Sequence, residues 1–220
     1  MFNKNMLYKL KRTNVILNTL RNLFITILCI TLTSSCVTMS QIKPDFEDII
    51  NKKGLSFKFK DYNSFIFVDI DNQVLFFLKK GTVKKSYNIS TSSYGTGNKL
   101  NSLKTPLGEH RISEKIGKDL PIGAILKGRI WTGGIANIIT ENIDTDEDLV
   151  TSRILWLEGT QEGLNKGPGI DSKSRFIYIH GTAEEGLIGK PASDGCIRMY
   201  NEDVIELFTF TSLGTEVWIY

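Results

Sequence analysis

Apolar residues gather in short runs from Phe57 to the C-terminus, and turn-forming residues close each run. SFIFVDI, VLFFLKK and VKKSYNIS are separated by Asp71-Asn72 and Gly81-Thr82, which predicts a meander of short strands joined by tight turns. SSYGTGNKLNSLKTPLGEHRI reads as a long turn-rich loop leading into a strand, fixed by Gly95, Gly97, Pro106 and Gly108. RILWLEG and RFIYIHG are two further strands, each stopped by glycine. Asn201 followed by EDVIELFTF predicts a helix, capped by Asn201, with Val204, Ile205, Leu207 and Phe208 as its buried stripe. Gly214 permits a turn, and TEVWIY ends the chain as a strand. Residues 117–150 carry no clear period and read as irregular. Seven or eight strands, one helix near the C-terminus and no αβ alternation predict a mainly β domain, a mixed β-sandwich rather than a doubly wound sheet.

The N-terminal part follows different rules. Residues 1–35 hold Lys4, Lys9, Lys11, Arg12 and Arg21 and no acid, followed by the largely apolar LFITILCITL and then Thr33-Ser34-Ser35-Cys36. A basic start, a short apolar stretch and small residues are the three parts of an export signal. About ten apolar residues fall short of the roughly twenty that cross a hydrocarbon core. The ending resembles a bacterial lipobox, which implies cleavage before Cys36 and lipidation of that residue, although Thr33 stands where the pattern prefers Leu. The predicted organisation is a signal over 1–35, a polar tether with a helical fringe over 36–56, and a folded domain over 57–220.

Charge and composition then narrow the function. The chain has 220 residues, 27 Lys plus Arg and 24 Asp plus Glu, for a net charge of +3. Without the leader, 22 basic residues face 24 acidic ones, so the folded part is mildly acidic and offers nothing to a nucleic acid. Two histidines exclude a tri-histidine metal centre, and three cysteines exclude a four-cysteine zinc cage or a disulfide-dense scaffold. Neither a P-loop nor a GxGxxG motif is present. The acidic cluster Asp144, Asp146, Glu147 and Asp148 lacks EF-hand spacing and reads as a solvated loop.

Beyond the leader and Cys36, Cys196 is the one thiol left. It follows Gly195 in PASDGCIRM, and His180 ends the apolar strand FIYIH. A thiol titrating near 8.5 needs a base to supply thiolate at neutral pH, and an imidazole titrating near 6.5 can serve. Taken from spacing alone, the pair is either such a catalytic couple, a buried inert Cys beside a structural His, or two ligands of a mixed site with Asp194.

Residues 180–199, HGTAEEGLIGKPASDGCIRM, resemble the active-site signature of the L,D-transpeptidase catalytic domain, the YkuD-type family of bacterial cell-wall enzymes. That signature is His-Gly, a variable stretch, then Ser-His-Gly-Cys with a nearby Arg. TPLGEHRI (105–112) resembles the family's TPxGxF strand, and GRIWTGG (128–134) and RILWLEG (153–159) fall in the family's order. The resemblance implies Cys196 as nucleophile, His180 as general base and acid, and the Gly181 carbonyl as the group orienting the imidazole. It implies that Ser193 and Gly195 shape an oxyanion loop, and that Arg198 holds a substrate carboxylate or braces that loop. Asp194 departs from the pattern, standing where the family usually has His. Pointed inward it would disfavour thiolate, unless it pairs with Arg198. His110 is expected to pack or lie exposed rather than to react.

The implied reaction is acyl transfer from the L-D bond of a peptidoglycan stem tetrapeptide to an amine, giving a 3→3 crosslink or attachment of an outer-membrane lipoprotein, without metal or organic cofactor. Alternatives are an L,D-carboxypeptidase or hydrolase on the same substrate, and an inactive peptidoglycan-binding lipoprotein. The expected partners are stem peptides and, through a lipid anchor, a membrane. The expected location is the periplasmic side of the envelope, with the outer membrane favoured by Val37 and Thr38 and a soluble periplasmic form otherwise.

Overall fold

A computed structural model describes residues 45–55 and 62–220 of the chain. The signal over 1–35 and Cys36 lie outside the described residues, as does the first part of the tether. The described residues hold ten strands and two α-helices. In chain order these are α1 (Phe46–Lys52), β1 (Ser64–Asp69), β2 (Val74–Lys79), β3 (Thr82–Ser90), β4 (Gly108–Ile116), β5 (Ala124–Lys127), β6 (Ile130–Ile135), β7 (Val150–Gly159), β8 (Tyr178–Thr182), β9 (Ile197–Met199), α2 (Asn201–Phe210) and β10 (Glu216–Ile219).

The strands run β4-β10-β1-β2-β3-β9-β8-β7-β5-β6, and β4 also pairs with β7, so the sheet closes on itself. The β1–β10 and β8–β9 pairs are parallel and the rest antiparallel, so the sheet is mixed and the fold mainly β, as the pattern predicts. Inside the closure, Ile66, Val68, Ile112, Leu157, Ile179 and Ile197 belong to one buried cluster with Val204, Leu207 and Phe208 of α2. Asn201 does not cap α2 with its side chain. Its amide instead donates to the Thr182 carbonyl at 2.8 Å and accepts from Thr151 Oγ1 at 2.7 Å, which fastens the start of α2 to β7 and β8.

The expectation of a single helix is corrected by α1, which lies in the segment read as tether. Asp45 caps it by accepting from the Glu47 backbone N–H at 3.1 Å, and Phe46, Ile49 and Ile50 form a buried stripe at i, i+3 and i+4. Three apolar positions in seven residues give a weak periodic signal, so the packing decides the outcome. The stripe covers Phe65, Phe67, Phe76 and Leu78 on the outer face of β1 and β2. A strand buried on both faces reads as a continuous apolar run rather than an alternation, and SFIFVD and VLFFLK read that way.

Residues 117–150, read as irregular, contain the β5–β6 hairpin. It was hidden because every β6 residue except Gly134 is exposed, which leaves no alternation to detect. Lys127 pairs with Ile130 across a two-residue turn in which Gly128 and Arg129 both have positive φ, +58° and +70°.

Candidate active site

His180 and Cys196 reach one face of the sheet through the register of two parallel strands. Ile179 pairs with Ile197 and His180 with Arg198, so Cys196 stands beside Tyr178. Side chains alternate along a strand, which places Tyr178, His180, Cys196 and Arg198 together on the face opposite the α2 cluster. Cys196 accordingly packs against Leu126, Ile154, Trp156 and Tyr178 rather than against the main core.

His180 is buried, and its Nδ1 lies 2.7 Å from the Gly181 carbonyl oxygen. A carbonyl can only accept, so Nδ1 carries the hydrogen and Nε2 presents a lone pair. Burial lowers the imidazole pKa, while the carboxylate of Asp148 and the bond to Gly181 oppose that shift and Arg198 adds to it. Gly181 itself admits no side chain, since a Cβ there would lie 2.6 Å from Asn201 Oδ1 and 2.9 Å from the Thr151 carbonyl.

The Cys196 thiol is tied to the neighbouring strand. Its Sγ accepts from the Tyr178 backbone N–H at 3.3 Å and donates to the Phe176 carbonyl at 3.4 Å. Burial pushes the thiol up to about 12, with the Asp148 carboxylate adding to the shift and Arg198 and Arg175 opposing it. In this geometry burial favours the neutral thiol, and the hydrogen bonds of the sulfur run to backbone groups of Tyr178 and Phe176 rather than to the imidazole.

The loop before the cysteine is built by backbone contacts. Ser193 is buried, its Oγ donating to the Cys196 carbonyl at 2.6 Å and accepting from the Gly195 N–H at 3.3 Å. Gly195 has φ +120°, a conformation that side chains resist, and its carbonyl accepts from Thr105 Oγ1 at 3.1 Å. Thr105, the first residue of TPLGEHRI, also accepts from the Ser92 N–H at 3.0 Å. The motif upstream of β4 therefore braces the loop that carries the thiol.

Arg198 and Asp194 are not partners. Arg198 is 2% exposed, with Nε 3.0 Å from Asp148 Oδ1 and Nη1 2.8 Å from Glu184 Oε2. Glu184, itself 1% exposed, accepts from the Thr145 N–H at 2.7 Å and from Thr145 Oγ1 at 2.5 Å. Thr145 and Asp148 thus clasp Glu184 and Arg198 from the segment between β6 and β7. The Ile139 N–H adds a bond to the Ala183 carbonyl at 2.8 Å. Asp194 is exposed, and its backbone N–H donates to Asp148 Oδ2 at 3.4 Å. With Leu103, Arg175 and Phe176 it lines a cavity of about 160 Å³.

Asp148 and Glu184 escaped the sequence reading, since one lies in an acidic run and the other in a variable stretch. A signal existed: Arg198 sits between Ile197 and Met199 on a strand, and a buried guanidinium requires acidic partners. Among the described residues no group of three His, Cys, Asp or Glu side chains is gathered to hold a metal ion. His110 is fully buried, with Nδ1 2.9 Å from the Gly108 carbonyl and Nε2 2.9 Å from Ser172 Oγ, and burial lowers its pKa to about 4.

The sequence model of the L,D-transpeptidase catalytic domain (YkuD) matches residues 63–219. Among curated proteins, the chain is 46% identical over 54 residues to YqjB of Bacillus subtilis (strain 168), a protein named as a candidate L,D-transpeptidase; that match spans 23% of this chain and 31% of the relative. It is 56% identical over 41 residues to YkuD of the same organism, similarly named, across 19% of this chain and 25% of the relative. The alignments therefore span under a third of either relative's length. Among solved structures, L,D-transpeptidase 3 from Mycobacterium tuberculosis, in complex with a faropenem-derived adduct, aligns with 71% of this chain and 60% of its own, at 15% identity and a TM-score of 0.46.

Proposed function

Because the chain belongs to the L,D-transpeptidase catalytic domain family, we propose that it is a peptidoglycan L,D-transpeptidase in which Cys196 is the nucleophile and His180 the general base and acid. The observation that supports this most is the fixed tautomer of His180, whose Nδ1 is held by the Gly181 carbonyl, on the sheet face that also carries the thiol.

The reaction then runs in two covalent steps. The thiol of Cys196 rotates toward Nε2 of His180, the S–H proton passes to that nitrogen, and the sulfur attacks the carbonyl of the L-D bond in a stem tetrapeptide. The backbone N–H of Cys196, at the end of the loop shaped by Ser193 and Gly195, stabilises the resulting oxyanion. His180 returns its proton to the departing D-Ala amine as the C–N bond breaks, leaving a thioester. An acceptor amine attacks the thioester carbonyl, His180 takes the amine proton, and collapse restores the thiol with that proton. An amine on a second stem gives a 3→3 crosslink, a lysine of a lipoprotein gives a wall-anchored protein, and water gives L,D-carboxypeptidase activity. Export through the 1–35 leader and lipidation of Cys36 would hold the domain beside its wall substrate.

Incubation of the full chain with stem tetrapeptides, read by mass spectrometry against Cys196→Ala, tests the reading. D-Ala release with a crosslinked product supports transfer, and release without one moves the reading to carboxypeptidase. No Cys196-dependent release with retained binding would leave an inert wall-binding module.

A further inference from the structure

The stem peptide of the proposed function carries free carboxylates, and the inference here rests on that reading while naming the group that would meet them. Two arginines act electrostatically on Cys196, and both are already consumed. Arg198 is enclosed by Asp148 and Glu184, at 2% exposure, so it braces the site rather than waiting for a substrate anion. Arg175 donates to the carbonyls of Gly97 at 3.1 Å and Lys104 at 2.6 Å, pinning the 97–104 loop.

Arg129, at the tip of the β5–β6 hairpin, is different. Its guanidinium carbon lies 4.6 Å from the Trp156 ring centroid and 5.2 Å from that of Phe176, and its Nη1 donates to the Tyr178 hydroxyl at 3.2 Å. Among the described residues no carboxylate lies within ion-pair distance of it. A guanidinium has five N–H donors in a planar fork that matches a carboxylate, and a single side-chain bond leaves most of them free. Two of the residues whose side chains hold Arg129 also hold the thiol through their backbone, because Sγ bonds the Phe176 carbonyl and the Tyr178 N–H. Trp156 and Phe176 also line a groove of about 520 Å³. The arginine occupies a turn position with φ +70°, where glycine or asparagine carries less strain.

We propose that Arg129, seated on Trp156, Phe176 and Tyr178, forms a carboxylate-binding subsite that holds a free carboxylate of the peptide substrate beside Cys196. The carboxylate is either that of the terminal D-Ala or that on the side chain of the third-residue diamino acid. Binding is measured by calorimetry on the full chain carrying Cys196→Ala, with and without Arg129→Gln. Three ligands separate the sources: the free tetrapeptide, its C-terminal amide, and the peptide amidated at the third-residue side chain. The expected result is a Kd at least tenfold weaker for the free peptide on Arg129→Gln. One of the two amides should be weak on both proteins and change by less than twofold, which identifies the carboxylate. Arg129→Lys should retain part of the affinity. Equal weakening of all three peptides, or none, overturns the subsite.

A second readout needs no peptide. In the chain with Cys196 intact, the ratio of thiol alkylation rates by iodoacetate and iodoacetamide at about 0.15 M salt should fall about threefold or more on Arg129→Gln, since only the first reagent carries a carboxylate. An unchanged ratio overturns the subsite. A fallen ratio together with peptides that do not bind keeps the subsite and removes the stem peptide as its ligand.

Discussion

Strands β8 and β9 have two faces made from alternating residues of the same short segments, and the two faces are built for opposite ends. Ile179, Ile197 and Met199 are fully buried against Val204 and Leu207 of α2, where apolar area removed from water is the whole contribution. Tyr178, His180, Cys196 and Arg198, on the other face, are polar, and hydrogen bonds or ion pairs satisfy them one by one. That second face costs desolvation, visible in the lowered pKa of His180 and the raised pKa of Cys196. One residue apart on one strand, a substitution should therefore change either stability or chemistry, and seldom both.

The largest expected effect lies on the polar face. Cys196→Ala should abolish D-Ala release, a loss of a thousandfold or more, while the melting temperature stays within a few degrees. His180→Gln should lose roughly a hundred- to ten-thousandfold in turnover, since the proton no longer has a carrier at either step. Peptide turnover and thermal melts on the same preparations check both. A collapse of the melt in either variant would erase the separation between the faces.

On the apolar face, Leu207→Ala should destabilise the domain by about 2–5 kcal/mol, measured by denaturant unfolding, with the turnover of the folded fraction nearly unchanged. His110 supplies a stability test away from the site. Its folded pKa of about 4 lies below the ordinary value near 6.5, so the unfolded chain binds the proton first. Its contribution is full above about pH 6.5 and is lost as pH falls toward 4, on the order of 2–3 kcal/mol. Denaturant unfolding of wild type between pH 7 and 4.5 should show that fall, and a flat profile would contradict it.

The smallest effect sharpens the comparison at its border. The carboxylate of Asp148 raises the pKa of both His180 and Cys196. Asp148→Asn should lower both, so the pH midpoint for alkylation of Cys196 moves down. A midpoint that stays or rises would show that Asp148 acts on the clasp alone.

The same alternation explains what the sequence made legible. The mainly β class and the helix after Asn201 could be read because strands with glycine stops leave local signals, and the compact motif that carries His180 and Cys196 lies on one face of adjoining strands. The β5–β6 hairpin could not, because a ribbon exposed on both faces has no period. Helix α1 was faint because three apolar residues in seven become a stripe only once β1 and β2 supply the surface they cover. Asp148 was hidden for another reason. Its partner Arg198 is fifty positions away, and an acidic run looks solvated until the buried guanidinium is located. Arg198 itself was left between holding substrate and bracing the loop, and the structure encloses its guanidinium between Asp148 and Glu184.

The account turns on a thioester at Cys196, and that species can be weighed. The full chain is mixed with stem tetrapeptide in the absence of acceptor, quenched in acid and measured as intact protein, then as proteolytic peptides. The expected result is a mass gain equal to the stem lacking its terminal D-Ala, located on the fragment that contains Cys196, with D-Ala released in step. D-Ala release that continues undiminished in Cys196→Ala, or intact stem peptide beside unmodified protein, would contradict the account.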